Sequence, residues 1–411
     1  MKDEPLKICF ASNLTRLRKK MGLTQEALAA QLYVSGKAIS KWERGLGYPE
    51  TTQLLRLARF FGVSVDRLLR DNRNGIAIAG NILADQVKLI DSYPERQMLS
   101  NIRSVSRAVG GCVPNTAINL AKMDRSIPIS AIGKVGRDES GDFVLREMRA
   151  YGIDTDQVLI SDRTPTSFSD VMTLQSTGER TFFHFRGANA EFSPEEIIPS
   201  DLNCRMFHIG YILLLDLFDK EDAEYGTAMA RFLDNVQKSG VTTSIDVVSS
   251  DGGLFREKVL PALKYTDNAF MNEIEGCAAA GLSPRDANGK LIPENIRKAM
   301  QFLLSAGVRE RVILHCPEAG FLLNRKGELT VVPSLDLPKG FIKGSVGAGD
   351  AFTAGCLYGI YHGCGDREIL EIASGAAVCN LSAEDSVSGM KSVAEIREMI
   401  SRMPRQPLPK I

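Results

Sequence analysis

The run Gly344-Ser345-Val346-Gly347-Ala348-Gly349-Asp350-Ala351-Phe352 restricts what this chain can fold into more than any other stretch. Its glycines permit a tight bend that turns successive N–H groups toward one point. The apolar residues after them read as a helix with Asp350 on its first turn. A phosphate would fit such a loop. A carboxylate beside a phosphate is repulsive, so an aspartate there points to a proton-accepting task, on a hydroxyl that attacks phosphorus. A nucleotide P-loop needs a Lys-Ser/Thr pair after its glycines, and none follows. A dinucleotide fingerprint needs a buried strand just before, where Pro338-Lys339-Gly340 stands. The plain alternative is a glycine-rich turn with an N-capping aspartate.

At 411 residues the chain is longer than a usual single domain. Its formal charge is zero, yet residues 1–72 hold 13 Lys/Arg against 7 Asp/Glu, leaving the rest with 37 against 43. A basic head on an acidic body suggests a nucleic-acid-facing module joined to something else. The turn-forming cluster Asp71-Asn72-Arg73-Asn74-Gly75 divides them, giving expected domains of residues 1–72 and 73–411. Eight cysteines and four histidines are scattered without metal-site spacing, so no structural metal is expected. Unpaired thiols, no apolar signal core, and no apolar patch longer than about 209–218 predict a cytoplasmic protein that avoids membranes.

After the division, Ile76-Ala77-Ile78-Ala79-Gly80 reads as a buried strand, as do residues 127–132, 206–209, 243–247 and 312–314. Helical patterns such as 143–151 and 228–239 fall between them, which implies a parallel sheet covered on both faces. Residues 166–174 and 180–186 read as a hairpin outside that order.

Five further motifs accompany the Asp350 loop: Gly110-Gly111-Cys112-Val113-Pro114-Asn115-Thr116-Ala117, Gly136-Arg137-Asp138-Glu139-Ser140-Gly141, Gly178-Glu179-Arg180-Thr181, Gly187-Ala188-Asn189 and Asn272-Glu273-Ile274-Glu275. In kind and order they resemble the PfkB (ribokinase-like) carbohydrate kinases, over roughly residues 75 to 400. The resemblance implies an α/β sandwich, a mostly parallel sheet between helices, with the hairpin part of a small β-lid over a sugar. It implies Asp350 as catalytic base and the N–H groups of Gly347, Ala348 and Gly349 as an anion hole. Asn81, Asp85, Gly111 and Asn115 would hold the acceptor, and Arg186 a carboxylate or phosphate on it. Asn272 and Glu275, read as sharing one helical face, would arrange Mg²⁺ and the ATP phosphates, a helix cap being the alternative for Asn272. Gly320 and Ser374 would border the nucleotide. The chain departs from the family pattern with Gly344 for an acidic residue, Ser345 for Thr, the loss of a glycine commonly found near Cys316, and Ser374 for a frequent Asn.

In the head, Thr24-Gln25-Glu26-Ala27-Leu28 opens a helix with Leu28 and Leu32 facing inward. Ser35 can cap the next helix, which turns Ile39 and Trp42 inward and stops at Gly45. The phrase Ser40-Lys41-Trp42-Glu43-Arg44-Gly45 resembles Cro/Xre-type helix-turn-helix domains. That likeness implies an all-α module on double-stranded DNA, with Gln25, Lys37, Ser40 and Lys41 at base edges and Ser35 and Arg44 nearer the phosphates. A protein-interaction bundle is the alternative. For the whole chain the expectation is a homodimeric sugar or sugar-acid kinase that also regulates transcription. A sugar-sensing regulator with little catalysis and a nucleoside kinase stay open.

Overall fold

The computed structural model describes residues 9–69, 73–248 and 254–409; Asp71 and Asn72 of the expected linker lie outside them. The chain divides into two compact units, Met1–Asn74 with Ile198–Asn203, and Gly75–Ile197 with Cys204–Ile411.

The first unit is helical: α1 (Phe10–Lys20), α2 (Gln25–Leu32), α3 (Gly36–Glu43), α4 (Thr51–Phe61) and α5 (Val65–Leu69). The Thr24 hydroxyl accepts the Ala27 N–H at 3.0 Å and opens α2, and Ser35 does the same for Ala38 at 3.2 Å in α3. Leu28, Leu32, Ile39 and Trp42 bury against Phe10, Leu14, Leu57 and Leu68 in one core. The turn between α2 and α3 passes through Tyr33 in the left-handed region.

In the second unit the strands are β1 (Ile76–Ala79), β2 (Leu83–Ile90), β3 (Ile102–Gly110), β4 (Ile129–Gly136), β5 (Asp154–Ser161), β6 (Ser167–Leu174), β7 (Arg180–Phe185) and β8 (Met206–Ile212). A short ribbon, β9 (Glu221–Asp222) and β10 (Gly226–Thr227), precedes β11 (Thr242–Val247), β12 (Asn268–Asn272), β13 (Arg311–His315), β14 (Ala319–Asn324) and β15 (Leu329–Pro333). The main sheet runs β15-β14-β13-β12-β11-β8-β1-β4-β5, parallel except at the β13-β14-β15 edge. Its central strands β1, β8 and β12 are buried except for Tyr211 and Asn272, as a sheet covered on both faces requires. Helices Cys112–Met123, Glu139–Ala150, Ala348–Tyr361 and Asp366–Leu381 share one apolar cluster with it.

The hairpin β6-β7 belongs to a second sheet, ordered β3-β2-β6-β7. Its partners β2 and β3 are not among the strands expected from the sequence, for a physical reason. Most of β3 is exposed and β2 is largely half-buried, so neither shows a clean apolar alternation. The strand expected at 127–132 begins at Ile129, opposite Ile76, and continues through two glycines to Gly136.

Candidate active site

The Asp350 loop sits where the sequence puts it, at the head of helix Ala348–Tyr361. Gly347 caps that helix at φ 77°, and a Cβ there would lie 2.5 Å from Ser386 Cβ, so the close turn requires glycine. Among the described residues, no acceptor takes the N–H of Gly347 or Gly349. The Ala348 N–H, expected beside them in the anion hole, instead reaches Ser345 O at 3.3 Å. Two unpartnered donors at a helix N-terminus favour an anion.

Asp350 is 4% exposed. Its Oδ2 accepts from Asn115 Nδ2 at 2.9 Å and from the Tyr211 hydroxyl at 3.0 Å. Burial, with Asp246 and Asp85 adding repulsion, pushes its carboxyl up to about 7 against the pull of these two donors. Asp350, Gly347, Ala348, Gly349, Asn272 and Glu275 line one cavity of about 280 Å³, together with Tyr211, Asp246 and His315. A larger cavity of about 780 Å³, beside Asp366, Arg367 and Arg397, holds none of these groups.

Asn272 lies at the end of β12 as the N-cap of helix Glu273–Ala280, so it does not share a helical face with Glu275. Asn272 Oδ1 accepts the Glu275 N–H at 2.8 Å, and Glu275 Oε2 accepts the Asn272 N–H at 2.9 Å. The two close a capping box, which satisfies helix-end donors reciprocally. Both still line the cavity.

The expected acceptor residues gather behind Asp350. Asn115 is fixed at both ends of its amide, since its Oδ1 accepts from Ser386 Oγ at 2.7 Å. Gly111 turns at φ 88°, where a Cβ would meet Asn81 O at 2.4 Å. The Asn81 amide is buried with neither polar atom partnered, an arrangement that suits a hydroxyl-rich ligand. Burial also raises Asp85 to about 7, while a hydrogen bond from Ser169 and the nearby Arg180 oppose the shift. Arg186, in contrast, pairs with Asp216 at 2.9 Å. Gly320 packs toward Leu370 and Phe352, and neither it nor Ser374 borders the 280 Å³ cavity.

Sequence reasoning missed Asp246, Tyr211, Arg180 and Ser386. Asp246 had a usable signal, a carboxylate near the carboxyl end of a buried strand, where open α/β sheets bind ligands. Arg180 stands in a quoted motif, and its Nη2 donates to Glu384 O at 2.9 Å.

In the helical unit, Lys37, Lys41, Arg44 and Ser35 are exposed and Ser40 is half-buried. Gln25 is tied inward, its Nε2 donating to Glu43 at 2.7 Å beside the Arg18–Glu43 pair. Among the described residues no cluster of three or more His, Cys, Asp or Glu side chains is placed to hold a metal ion. None of their helices is long and apolar enough to cross a membrane.

A buried carboxylate facing unpartnered N–H groups at a helix head, under a four-stranded lid, defines an α/β kinase of small molecules. Residues 75–392 match the pfkB family of carbohydrate kinases, and the chain belongs to that family. Residues 14–68 match a helix-turn-helix family. Ribokinase of Arabidopsis thaliana is 26% identical over 326 residues, 78% of this chain and 80% of that enzyme. Its structure, complexed with ribose and ATP, aligns with a TM-score of 0.67 at 20% identity, over 80% of this chain and 98% of that one. The 2-dehydro-3-deoxygluconokinase of Bacillus subtilis is 22% identical over 322 residues, 74% of this chain and 90% of the kinase. The HTH-type transcriptional activator BcrR of Enterococcus faecalis is 53% identical over 60 residues, 15% of this chain and 29% of the activator. The chain thus spans less than a third of that activator's length.

Proposed function

We propose that the chain phosphorylates a hydroxyl of a sugar or sugar acid with ATP, and that its helical head binds operator DNA, making it both kinase and transcriptional regulator. The DNA-binding domain would be residues 1–72 and the kinase domain residues 73–411. The observation that carries the kinase reading is Asp350, a buried carboxylate opening on the same cavity as the unpartnered N–H groups of Gly347 and Gly349.

In the reaction the acceptor hydroxyl gives its proton to Asp350 as its oxygen bonds to the γ-phosphorus of ATP, and the bond to the ADP oxygen breaks. The Gly347 and Gly349 N–H groups stabilise charge on the transferring group. The buried Asn81 amide and Asp85 supply the pairing that a polyhydroxyl acceptor needs. Arg186 directly follows β7 with its side chain 40% exposed, available to an acidic substituent that displaces Asp216. Asn272 and Glu275, which line the cavity, would hold hydrated Mg²⁺, which neutralises phosphate charge when bound. Lys37, Ser40, Lys41 and Arg44 form the DNA face, used by a cytoplasmic homodimer whose two heads meet successive half-sites.

The test is ADP release with Mg²⁺ and ATP against a panel of sugars, sugar acids and nucleosides. Release with a sugar or sugar acid supports the proposal, and a preference for nucleosides replaces its acceptor class. Thermal stabilisation by a sugar without any ADP release would favour the sensor reading instead.

A further inference from the structure

We propose that Tyr211 is a positioning residue for the catalytic base: its phenol and the Asn115 amide hold the same oxygen of Asp350, Oδ2, which assigns the acceptor's proton to the other, Oδ1. The inference rests on the reading of Asp350 as the base. Tyr211 lies on β8, and its hydroxyl donates to Oδ2 at 3.0 Å while Asn115 Nδ2 reaches that same atom at 2.9 Å. Among the described residues no hydrogen bond falls on Oδ1. A carboxylate held by two donors on one oxygen has its rotation stopped, and the other oxygen is left to meet substrate.

The phenol is itself fixed. Its ring packs against the apolar cluster beneath the helix, and the Tyr211 N–H donates to Asp246 Oδ1 at 2.6 Å. The backbone takes φ 61° at Tyr211 and φ 83° at Leu213, in the region that suits glycine. A tyrosine held at such a position is under backbone strain, and strain of this kind gathers where a side chain is needed for function. Asn115 cannot turn away either, because Ser386 occupies its Oδ1.

Titratable groups face Asp350 from each packed element: Tyr211 from β8, Asp246 from β11, Asp85 from β2 and Cys112 from helix Cys112–Met123. His315 of β13 stands beside Gly349. Burial and the two aspartates raise the Asp350 carboxyl, and the Asn115 and Tyr211 donors lower it. Loss of the phenol therefore leaves the carboxylate less favoured, while the retained ring of Tyr211→Phe preserves packing.

The experiment is a carbon-13 titration of carboxyl-labelled aspartate in the full-length protein, with Asp350 assigned by its absence in Asp350→Asn. Tyr211→Phe should move the Asp350 midpoint up by about one pH unit, the scale of one hydrogen bond to a charged group. An unchanged midpoint in a folded variant overturns the proposal. Should Tyr211→Phe fail to fold, 3-fluorotyrosine incorporation strengthens the donor and should lower the midpoint; no movement there is equally fatal. ADP release by Asp350→Asn at the wild-type rate would instead remove the base reading, and it is measured independently of either titration.

Discussion

The Asn115 amide donates to Asp350 Oδ2 across 2.9 Å, joining the first turns of two helices 235 positions apart in the chain. Each helix begins at a glycine turn that a larger residue would obstruct, Gly111 for one and Gly347 for the other. The two glycine motifs therefore meet at one carboxylate, and on the proposed function the first supplies the support and the second the base and the N–H groups for an anion. Asp350→Asn keeps the shape and removes the base. Turnover should fall by about 10²- to 10⁴-fold with little change in KM for the sugar, as loss of general-base catalysis requires. Steady-state kinetics on the substrate found in the panel checks this, and wild-type turnover would refute it.

Burial raises Asp350 and Asp85 each to about 7, and the charge of Asp246, with a lesser part from Asp85, adds to the rise of Asp350. An unfolded aspartate titrates near 4. The raised carboxyls thus contribute stability that is fully present below about 4 and is lost as pH rises through about 7. Catalysis runs the other way, because the base must be ionised, so kcat/KM should climb through about pH 7. At pH 8 Asp350→Asn should be more stable than the parent, by on the order of 1 kcal/mol, a common yield of relieving an active-site conflict. Thermal melts from pH 5 to 8 decide it; equal Tm at pH 8 would contradict the raised value.

Asn272 combines a cap with a place in the cavity, and two substitutions separate these jobs. Asn272→Ala removes the cap and should cost about 1 kcal/mol of stability. Asn272→Asp keeps a good cap but sets a negative charge where the ATP phosphates are expected, so Tm should hold while KM for ATP rises several-fold. Unaltered KM for ATP in Asn272→Asp would leave Asn272 a cap alone.

Much of this site was legible because glycine and aspartate had few other reasons to stand where they do. Gly347 and Gly111 sit at turns their neighbours close off, and Asp350 is a carboxylate at a helix head. The main sheet was legible too, since β1, β8 and β13 are short runs rich in apolar residues and β11 is largely β-branched. The lid strands β2 and β3 were not, because a half-buried β2 and a mostly exposed β3 carry no clean alternation of buried and exposed residues. Tyr211 was hidden for a different reason: its place beside Asp350 depends on a left-handed backbone that local sequence does not announce. Gln25 was misleading in isolation, as its exposed-looking position hides a bond to Glu43, 18 residues away.

The exposed Lys37 and Lys41 frame the proposed DNA face. Lys41→Ala in the full-length protein should weaken binding to duplex from upstream of its own gene. The slope of log K against log salt should fall by about 1 for each phosphate that the variant no longer neutralises. Binding by Lys41→Ala with unchanged affinity and salt slope would take Lys41 off the DNA face. Failure of the parent to bind at low salt would favour the protein-interaction alternative.

One chain carrying a sugar kinase and a helix-turn-helix raises the question of whether the two activities exchange free energy. A ligand can shift DNA affinity only if it binds the two DNA-binding states unequally, and the shift is then reciprocal. Closure of the β3-β2-β6-β7 sheet over a substrate would be a change of state that a ligand favours, and a homodimer built through that sheet would pass it to the spacing of the two heads. Saturating substrate should therefore change operator affinity several-fold, by the usual coupling energy of about 1–3 kcal/mol. The measurement is a titration of operator DNA with and without the acceptor found in the panel, in an Asp350→Asn background so that nothing turns over. ATP is varied separately, because nucleotide and sugar need not act alike. Superimposable curves would mean that kinase and DNA-binding head are joined without coupling, and that any effect on transcription comes from the phosphorylated product.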